Sequence, residues 1–587
     1  MAIAYWTGAY YTISSNWQNQ VRALQKDWIH SLIDYKYNKT LRAWQIPIDI
    51  TDISELNQNG FTVLDPRTEE VPIFPPIASP PTRPDDAEIF LPVHLFPYQL
   101  EGAKALLGGR RILADEPGVG KTRQLITVAY NLDAERVLFV VPKGAITDPW
   151  VLELTGVMET IKQNSAPITK TQGKLVVVQS KAHIKRLDDM HEGTILTTDS
   201  ALSSNEEFVR WVIEWQPQIM LYDEAHRAKS FDSRVAQHLR AVAMHVPLVI
   251  TASGTPYLKD TSEILTQLVL TNTIGLFGGL EAFLAEYTWE DQWHHHIGIR
   301  RKTHGINAVL DKSIWIRRTQ TVAIPDMPPK LRRFISVDVP LDRVEEVHDE
   351  VVDHIDEWLA DYRAHNNGYA PELSEIKEWA SDNIRYITQM RVAAGVSKID
   401  EAIRRIERWV DKYGTTRPLI VWGCYQEVIV ALYERSVELG HRVGVLDGSK
   451  SRTQRDRVVS AFQAGELDLV IASIYAAGTA ITLTRAHDAL FVETDWTPAL
   501  IVQAENRCYR LGQKETVRIT TLIAKGTLDE HIQKVLTRKI AFLEQALSGD
   551  HAVSSKAPTT FAISRFLIEL VQSRLASQSS PQSRLVR

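Results

Sequence analysis

The stretch from Leu113 to Thr122, LADEPGVGKT, decides how the rest of the chain is read. It closes like a phosphate-binding loop, yet Asp115 stands where the general Gly-x-x-x-x-Gly-Lys-Ser/Thr pattern has its first glycine. Its surroundings favour phosphate. The apolar run RRIL leads in and the helical RQLITVAYNL leads out. At such a strand–loop–helix junction, backbone N–H groups and the helix N-terminus face an anion. Gly118 and Gly120 let the backbone approach closely, Lys121 is placed to reach β- and γ-phosphates, and Thr122 to help hold Mg²⁺.

Farther along, IMLYDEAHRAKS is an apolar strand ending in Asp223 and Glu224. Open α/β sheets bind ligands at the carboxyl ends of their strands, so this pair falls at the right edge. There Asp223 can hold Mg²⁺ while Glu224 polarises an attacking water. The runs RVLFVVP, KLVVVQS, PQIMLYDE and PLVITASGTP, each followed by helical periodicity, predict a parallel sheet with helices on both faces. A second series, PLIVWG, RVGVLDG, LDLVIAS, ALFVETDW and VRITTLIAKGT, predicts another sheet of this kind. The expected division is an N-terminal domain at 1–64, a proline-rich linker at 65–94, a first lobe at 95–335, an acidic helical insertion at 336–390, a second lobe at 391–550 and a tail at 551–587. The tail carries one amphipathic stretch, FAISRFLIELVQSRL, before a Ser/Gln-rich end.

The bulk composition excludes several classes. At 587 residues the chain exceeds one core, and 44% hydrophobic with 24% charged residues is ordinary for a globular protein. The net charge of −6 does not advertise nucleic acid, although a basic groove can sit inside an acidic protein. Two cysteines, Cys424 and Cys508, exclude a disulfide framework and point to a reducing compartment. His294, His295 and His296 are adjacent and read as a solvated loop, without structural-zinc spacing. The first residues lack the pattern of a signal peptide and no run is long enough to cross a bilayer, so a soluble cytoplasmic protein is expected.

DEPGVGKT together with DEAH resembles helicase superfamily two, and more closely the Swi/Snf-type DNA translocases, whose loop reads Asp-Glu-x-Gly-x-Gly-Lys-Thr. Asp115 is then a family mark. The resemblance implies an ATP- and Mg²⁺-dependent ATPase with two tandem RecA-like, doubly wound α/β lobes, a helical insertion and a small N-terminal domain. It implies a nucleotide site of Gln99 in LFPYQLEGAKAL, reading adenine, with Glu116, Pro117, Gly118, Val119, Gly120, Lys121 and Thr122. From VVPKGAITDPW it places Lys143 and Trp150 near DNA, from ILTTDSAL Thr198, from TASGTP Thr255, and from IWIRRTQTVAIPDMPPK Arg317 and Arg318. Gln320 departs from the family's lysine.

QAENRCYRLGQ, Gln503 to Gln513, is the most specific string of the second series. Arg507 and Arg510 lie three apart on an expected helix and share a face. The resemblance makes them the charges that steady a transferring phosphoryl group, with Gly478 and Gln503 beside the nucleotide. Asn506 and Tyr509 replace the common Asp and His, while Ala480 and Thr482 replace a Gly and an Asn. Gly448, Arg455 and Trp496 are implied DNA contacts. The entry to this lobe, AAGVSKI, with Glu505 and Thr482, is similar to the annealing-helicase group, as is, faintly, the aromatic N-terminal LIDYKYNKTLRAWQIPI. In Met1 to Ile48 five Lys or Arg accompany two Asp and many aromatics, which suits a DNA-recognition domain or a small aromatic core. The expected activity is translocation on double-stranded or forked DNA, by a monomer, to remodel or reanneal DNA structures. A strand-separating DNA or RNA helicase, a translocating subunit of a restriction or repair complex, and a clamp with a vestigial ATP site remain alternatives.

Overall fold

Valine- and isoleucine-rich runs become strands buried on both faces, because helices cover each side of a parallel sheet and leave no wet face to alternate with. The computed structural model describes residues 89–91, 93–156, 174–187, 189–257, 261–290, 304–475, 481–548 and 561–579, with strands at 2–6, 10–14, 36–38, 43–47, 61–64 and 296–297. The chain divides into two units, Met1–Pro325 and Asp326–Arg587.

The first unit opens with β1 (Ala2–Trp6), β2 (Tyr10–Ser14), β3 (Lys36–Asn38), β4 (Ala43–Pro47) and β5 (Phe61–Leu64). They form one sheet in the order β3-β4-β2-β1-β5, antiparallel except for β1 with β5. Most of the expected linker at 65–94 lies outside the described residues. Then come β6 (Ile112–Leu113), β7 (Arg136–Val141), β8 (Leu175–Val178), β9 (Gly193–Thr198), β10 (Ile219–Asp223) and β11 (Leu248–Ala252). A short antiparallel pair, β12 (Trp289–Glu290) and β13 (His296–Ile297), precedes β14 (Trp315–Ile316). His296 falls in β13, and His294 and His295 lie outside the described residues. The second sheet is parallel throughout, in the order β14-β6-β11-β10-β7-β9-β8. The ends of β6, β10 and β11 therefore share one edge. Successive strands β6 and β7 are separated by β11 and β10, which opens the crevice where such sheets take ligands.

The second unit is built on β15 (Lys330–Val337), β16 (Leu419–Gly423), β17 (Val443–Leu446), β18 (Leu469–Ser473), β19 (Asp488–Phe491) and β20 (Val517–Ala524). Their order is β15-β20-β19-β16-β18-β17, again all parallel. This corrects the expected first-lobe boundary at 335. Lys330 to Val337 pairs in register with Val517 to Ala524, so the division falls at Pro325. As an edge strand β15 stays largely exposed, which is why its sequence lacks a buried strand's pattern.

The expected insertion is helical: Asp342–His365, Leu373–Asp382 and Arg385–Ser397, the last running past 390. Asp342 and Glu345 in the first turn of the long helix, with Arg363 and His365 in its last, suit the helix dipole. Its Val351, Ile355 and Leu359 recur at four-residue spacing and are fully buried. They pack with Ile376, Ala380, Tyr386 and Ile532, and with Leu567, Ile568 and Val571 of the terminal helix Phe561–Ser579. An ion pair between Arg574 and Asp356 adds a second tie. The amphipathic stretch of the tail is thus a core element, and residues 580–587 lie outside the description. Among the described residues no helix is long and apolar enough to cross a membrane.

Leu567→Ala should cost about 2–5 kcal/mol of this packing. Amide hydrogen exchange should show faster opening in Asp342–His365 and Phe561–Ser579, with β16 to β20 unchanged.

Candidate functional site

The chain leaves β6 at Ala114 and turns through Asp115 to Gly120 before the helix Lys121–Tyr130 starts. Gly118 and Gly120 have φ of 85° and 78°, a region open to glycine at little cost. A Cβ on Gly120 would also stand 2.3 Å from Gln99 Nε2. Gln99 is fully buried. Its Oε1 accepts the Phe96 N–H at 3.0 Å and its Nε2 donates to the Val119 carbonyl at 3.0 Å. The residue expected to read adenine thus also braces the loop from beneath. Lys121 donates to the carbonyls of Asp115 (3.1 Å) and Glu116 (3.3 Å), so its charge lies along the loop. Thr122 is half-buried in the helix's first turn.

The anomalous Asp115 is 0% exposed and has a partner far along the chain. Arg318 donates from Nε to Oδ1 at 3.0 Å and from Nη2 to Oδ2 at 2.5 Å. The same guanidinium donates to Gln124 Oε1 (3.1 Å) and to the Tyr98 carbonyl. Gly102 leaves the necessary room, since a Cβ there would stand 1.9 Å from Gln124 Oε1 and 2.5 Å from Arg318 Nη2. Arg317 donates to the Ala114 carbonyl at 3.0 Å and lies 3.7 Å from Glu116. Gln320 donates from its backbone to Glu116 Oε2 (2.8 Å) and from its amide to the Pro117 carbonyl (2.7 Å). Residues 317–320 thus strap the loop from Ala114 to Pro117. Arg317 and Arg318, expected on DNA, are turned inward and all but buried. Gln320 suits this place because an amide reaches a carbonyl without burying another charge.

At the end of β10, Asp223 is 7% exposed. Its Oδ1 accepts the Glu224 N–H (2.9 Å) and its Oδ2 the Trp150 indole N–H (3.2 Å). Burial pushes the Asp223 carboxyl up to about 6, the Glu224 charge adding and Lys121 opposing. Glu224 has φ 53°, an uncommon conformation for a side-chain-bearing residue. Its Oε2 lies 3.2 Å from His226 Nδ1, which is 2.9 Å from Ser253 Oγ beyond β11. Ser253 Oγ in turn accepts the Thr255 N–H at 3.2 Å. Three more expected DNA contacts find their places here. Trp150 is fully buried against Asp223. Thr198 is 1% exposed and caps the helix Asp199–Ser204 by accepting the Ala201 N–H at 2.9 Å. Lys143 is exposed on the turn after β7.

This donor set fits Mg²⁺ with a nucleoside triphosphate. Mg²⁺ is usually held by one or two carboxylates plus phosphate oxygens, and a buried acid beside a lysine at a helix N-terminus offers that chemistry. Asp223 and Thr122 would hold the ion, which when bound supplies positive charge to the phosphates. Among the described residues no group of three or more His, Cys, Asp or Glu forms a cage of its own.

In the second unit the helix Pro498–Glu505 ends before the arginines. They sit on the following turns, which corrects the expected shared helical face. The Arg507 carbonyl accepts the Leu483 N–H at 2.9 Å, a tertiary bond that draws the chain out of the helix. Arg510 donates to Thr482 Oγ1 at 2.8 Å and Arg507 to the Ile481 carbonyl at 3.4 Å. Gln503 is half-buried and Gly478 lies outside the described residues. Glu505 is 1% exposed, bonded to Lys330 (2.9 Å) and by two 2.7 Å bonds to Arg332, both on β15. Burial alone would raise its carboxyl, but the two cations hold it below the ordinary range. Lys330 also lies 4.9 Å from the Tyr509 ring centroid, which gives that tyrosine a structural purpose. Gly448 is exposed after β17, and Arg455 lies half-buried on the helix Arg452–Ala464. Trp496, an expected DNA contact, is 7% exposed, and the Arg391 guanidinium lies 4.8 Å from its ring centroid.

A model of the SNF2-related domain matches residues 98–355, and one of the helicase conserved C-terminal domain matches 402–512. The chain is 27% identical to the SWI/SNF-related matrix-associated actin-dependent regulator of chromatin subfamily A-like protein 1 homolog of Caenorhabditis elegans, over 89% of this chain and 73% of that protein. It is 26% identical to the DNA annealing helicase and endonuclease ZRANB3 of Homo sapiens, over 81% of this chain. It spans less than half of that human protein, 43%. A solved Sulfolobus solfataricus SWI2/SNF2 ATPase core in complex with dsDNA is 20% identical, covering 83% of this chain and 98% of that one at a TM-score of 0.35.

Arg318→Ala should destabilise the first unit by roughly 3–5 kcal/mol, because it leaves the Asp115 charge buried without its cation, with only the Gln124 amide bonded to it. Removing both partners, as Asp115→Leu with Arg318→Met, should recover part of that loss. Urea unfolding followed by amide exchange in Lys121–Tyr130 measures both, and a stable single variant would contradict the strap.

Proposed function

We propose that the chain, which matches models of the SNF2-related domain and the helicase conserved C-terminal domain, is an ATP-dependent translocase on double-stranded DNA that remodels or reanneals DNA structures. The observation that carries this reading is the sheet edge where Asp223, next to Glu224, lies within electrostatic reach of Lys121 at the start of its helix. Lys121 would neutralise β- and γ-phosphate charge, and Asp223 with Thr122 would hold Mg²⁺, which would supply further positive charge to the phosphates. Glu224 is held at the strand end to position water and accept its proton, and His226 beside it ties that position to Ser253 and Thr255.

Arg507 and Arg510 supply the positive charge wanted as the phosphoryl group transfers. Thr482 presents a hydroxyl to Arg510 where an Asn is common, a neutral partner that holds the guanidinium in place. Lys143, Thr255, Gly448 and Arg455 remain the candidates for a grip on DNA phosphates. Such a grip is salt-dependent and indifferent to sequence. The relative named as a DNA annealing helicase supports reannealing as an outcome of the translocation.

Measuring ATP hydrolysis with no DNA, single strands, duplex and forked duplex tests this reading. Duplex and fork should stimulate strongly, and stimulation should fall as salt rises. Lys121→Ala should abolish stimulated turnover in a folded protein; retained turnover would remove the loop from the mechanism. A panel stimulated by single strands alone would favour a different translocation track.

Arg510→Ala should lower kcat by about 10³-fold while changing nucleotide affinity only a few-fold, since its charge is wanted in the transition state. Single-turnover hydrolysis with an equilibrium nucleotide titration separates the two. Normal maximal turnover with weaker binding would move Arg510 to ground-state binding.

A further inference from the structure

We propose that Trp150 is a positioning residue for the nucleotide site, its indole N–H fixing the orientation of the Asp223 carboxylate toward a divalent cation. This rests on the reading of Asp223 as the cation-holding acid. The Asp223 carboxylate has two donors on different elements. Oδ1 takes the Glu224 N–H at 2.9 Å, and Oδ2 takes the indole N–H at 3.2 Å. Two donors on opposite oxygens hold the plane of the group, so the remaining lone pairs point in a set direction. A carboxylate free to rotate would have to be ordered each time a cation bound, which weakens binding without changing the ligand itself.

Burial alone does not require this bond. Trp215 and Trp422 are also buried, and their indole nitrogens have no hydrogen-bond partner. The Trp150 donor is spent on an acid instead. Its segment is unusual too: Ile146–Val151 is a π-helical turn with Pro149 inside it. Such turns are rare and gather at functional sites, where the extra residue re-aims a side chain. The Phe139 ring on β7 supports the indole at 5.0 Å between centroids. Phe139 is in register with Leu221, two residues before Asp223 on the neighbouring strand. The sheet therefore sets both ends of the bond.

The test is equilibrium binding of a fluorescent ATP analogue, without DNA, titrated with Mg²⁺ from a chelated start. Trp150→Phe keeps a ring and removes the donor. Phe139→Leu loosens the packing and keeps the donor, and Asp223→Asn removes the proposed ligand. Metal-free binding in the same titration reports that each variant is folded, and Trp150→Leu replaces Trp150→Phe if the latter loses it. Trp150→Phe should need about tenfold more Mg²⁺ for half of the metal-dependent gain, with hydrolysis recovering at high Mg²⁺. Phe139→Leu, which keeps the donor, should shift the Mg²⁺ dependence much less than Trp150→Phe, and Asp223→Asn should lose the gain. Trp150→Phe with unaltered Mg²⁺ dependence, beside a defective Asp223→Asn, overturns the role of Trp150 alone. Phe139→Leu shifting as far as Trp150→Phe also overturns it, because packing would then set the effect. An unaffected Asp223→Asn overturns the reading of Asp223, and this inference with it.

Discussion

The ion pair between Asp115 and Arg318 ties the first turn of the phosphate loop to the last stretch of the first unit. Neither partner is accessible to water to any extent that would screen it, and each charge leaves the other costly to lose. Around it Arg317, Gln320 and Gln124 take up the remaining polar groups, so that loop, helix and strap form one hydrogen-bonded body. The strap runs on to Pro325, where the chain passes to the second unit. Whatever displaces the loop backbone is felt at once by residues 317–320, immediately ahead of that passage.

The second unit uses the same device with the same signs. A buried acid, Glu505, closes the helix before the arginine turns, and the cations that hold it come from the edge strand β15. Lys330 and Arg332 sit two apart on a strand and so face one side. A polar strand that gains little from burial is thereby fixed at both its backbone and its side chains.

Both sheets and the loop were legible in the sequence because their signals are local. Valine-rich runs between helical periods specify parallel strands, and glycine spacing before Lys121 specifies the loop. Contacts across the chain were not. Arg318 meets Asp115 across 203 residues and Trp150 meets Asp223 across 73, and the identity of an arginine or tryptophan does not say whether it faces solvent or a carboxylate. The boundary at 335 failed for a related reason: an exposed edge strand carries no hydrophobic alternation. The helix expected through Arg510 stops at Glu505 because a carbonyl finds a partner at Leu483, and tertiary bonding overrides helix propensity.

Glu224 sits in the left-handed region of backbone space, where a side chain costs on the order of 1–3 kcal/mol and glycine costs almost nothing. Thermodynamics alone would favour a glycine there, and a library screened only for heat resistance would discard this glutamate early. Its retention sets chemistry against robustness at a single backbone torsion. Thermostable descendants of this chain should therefore draw their gains from other positions, leaving this angle as an inherited debt.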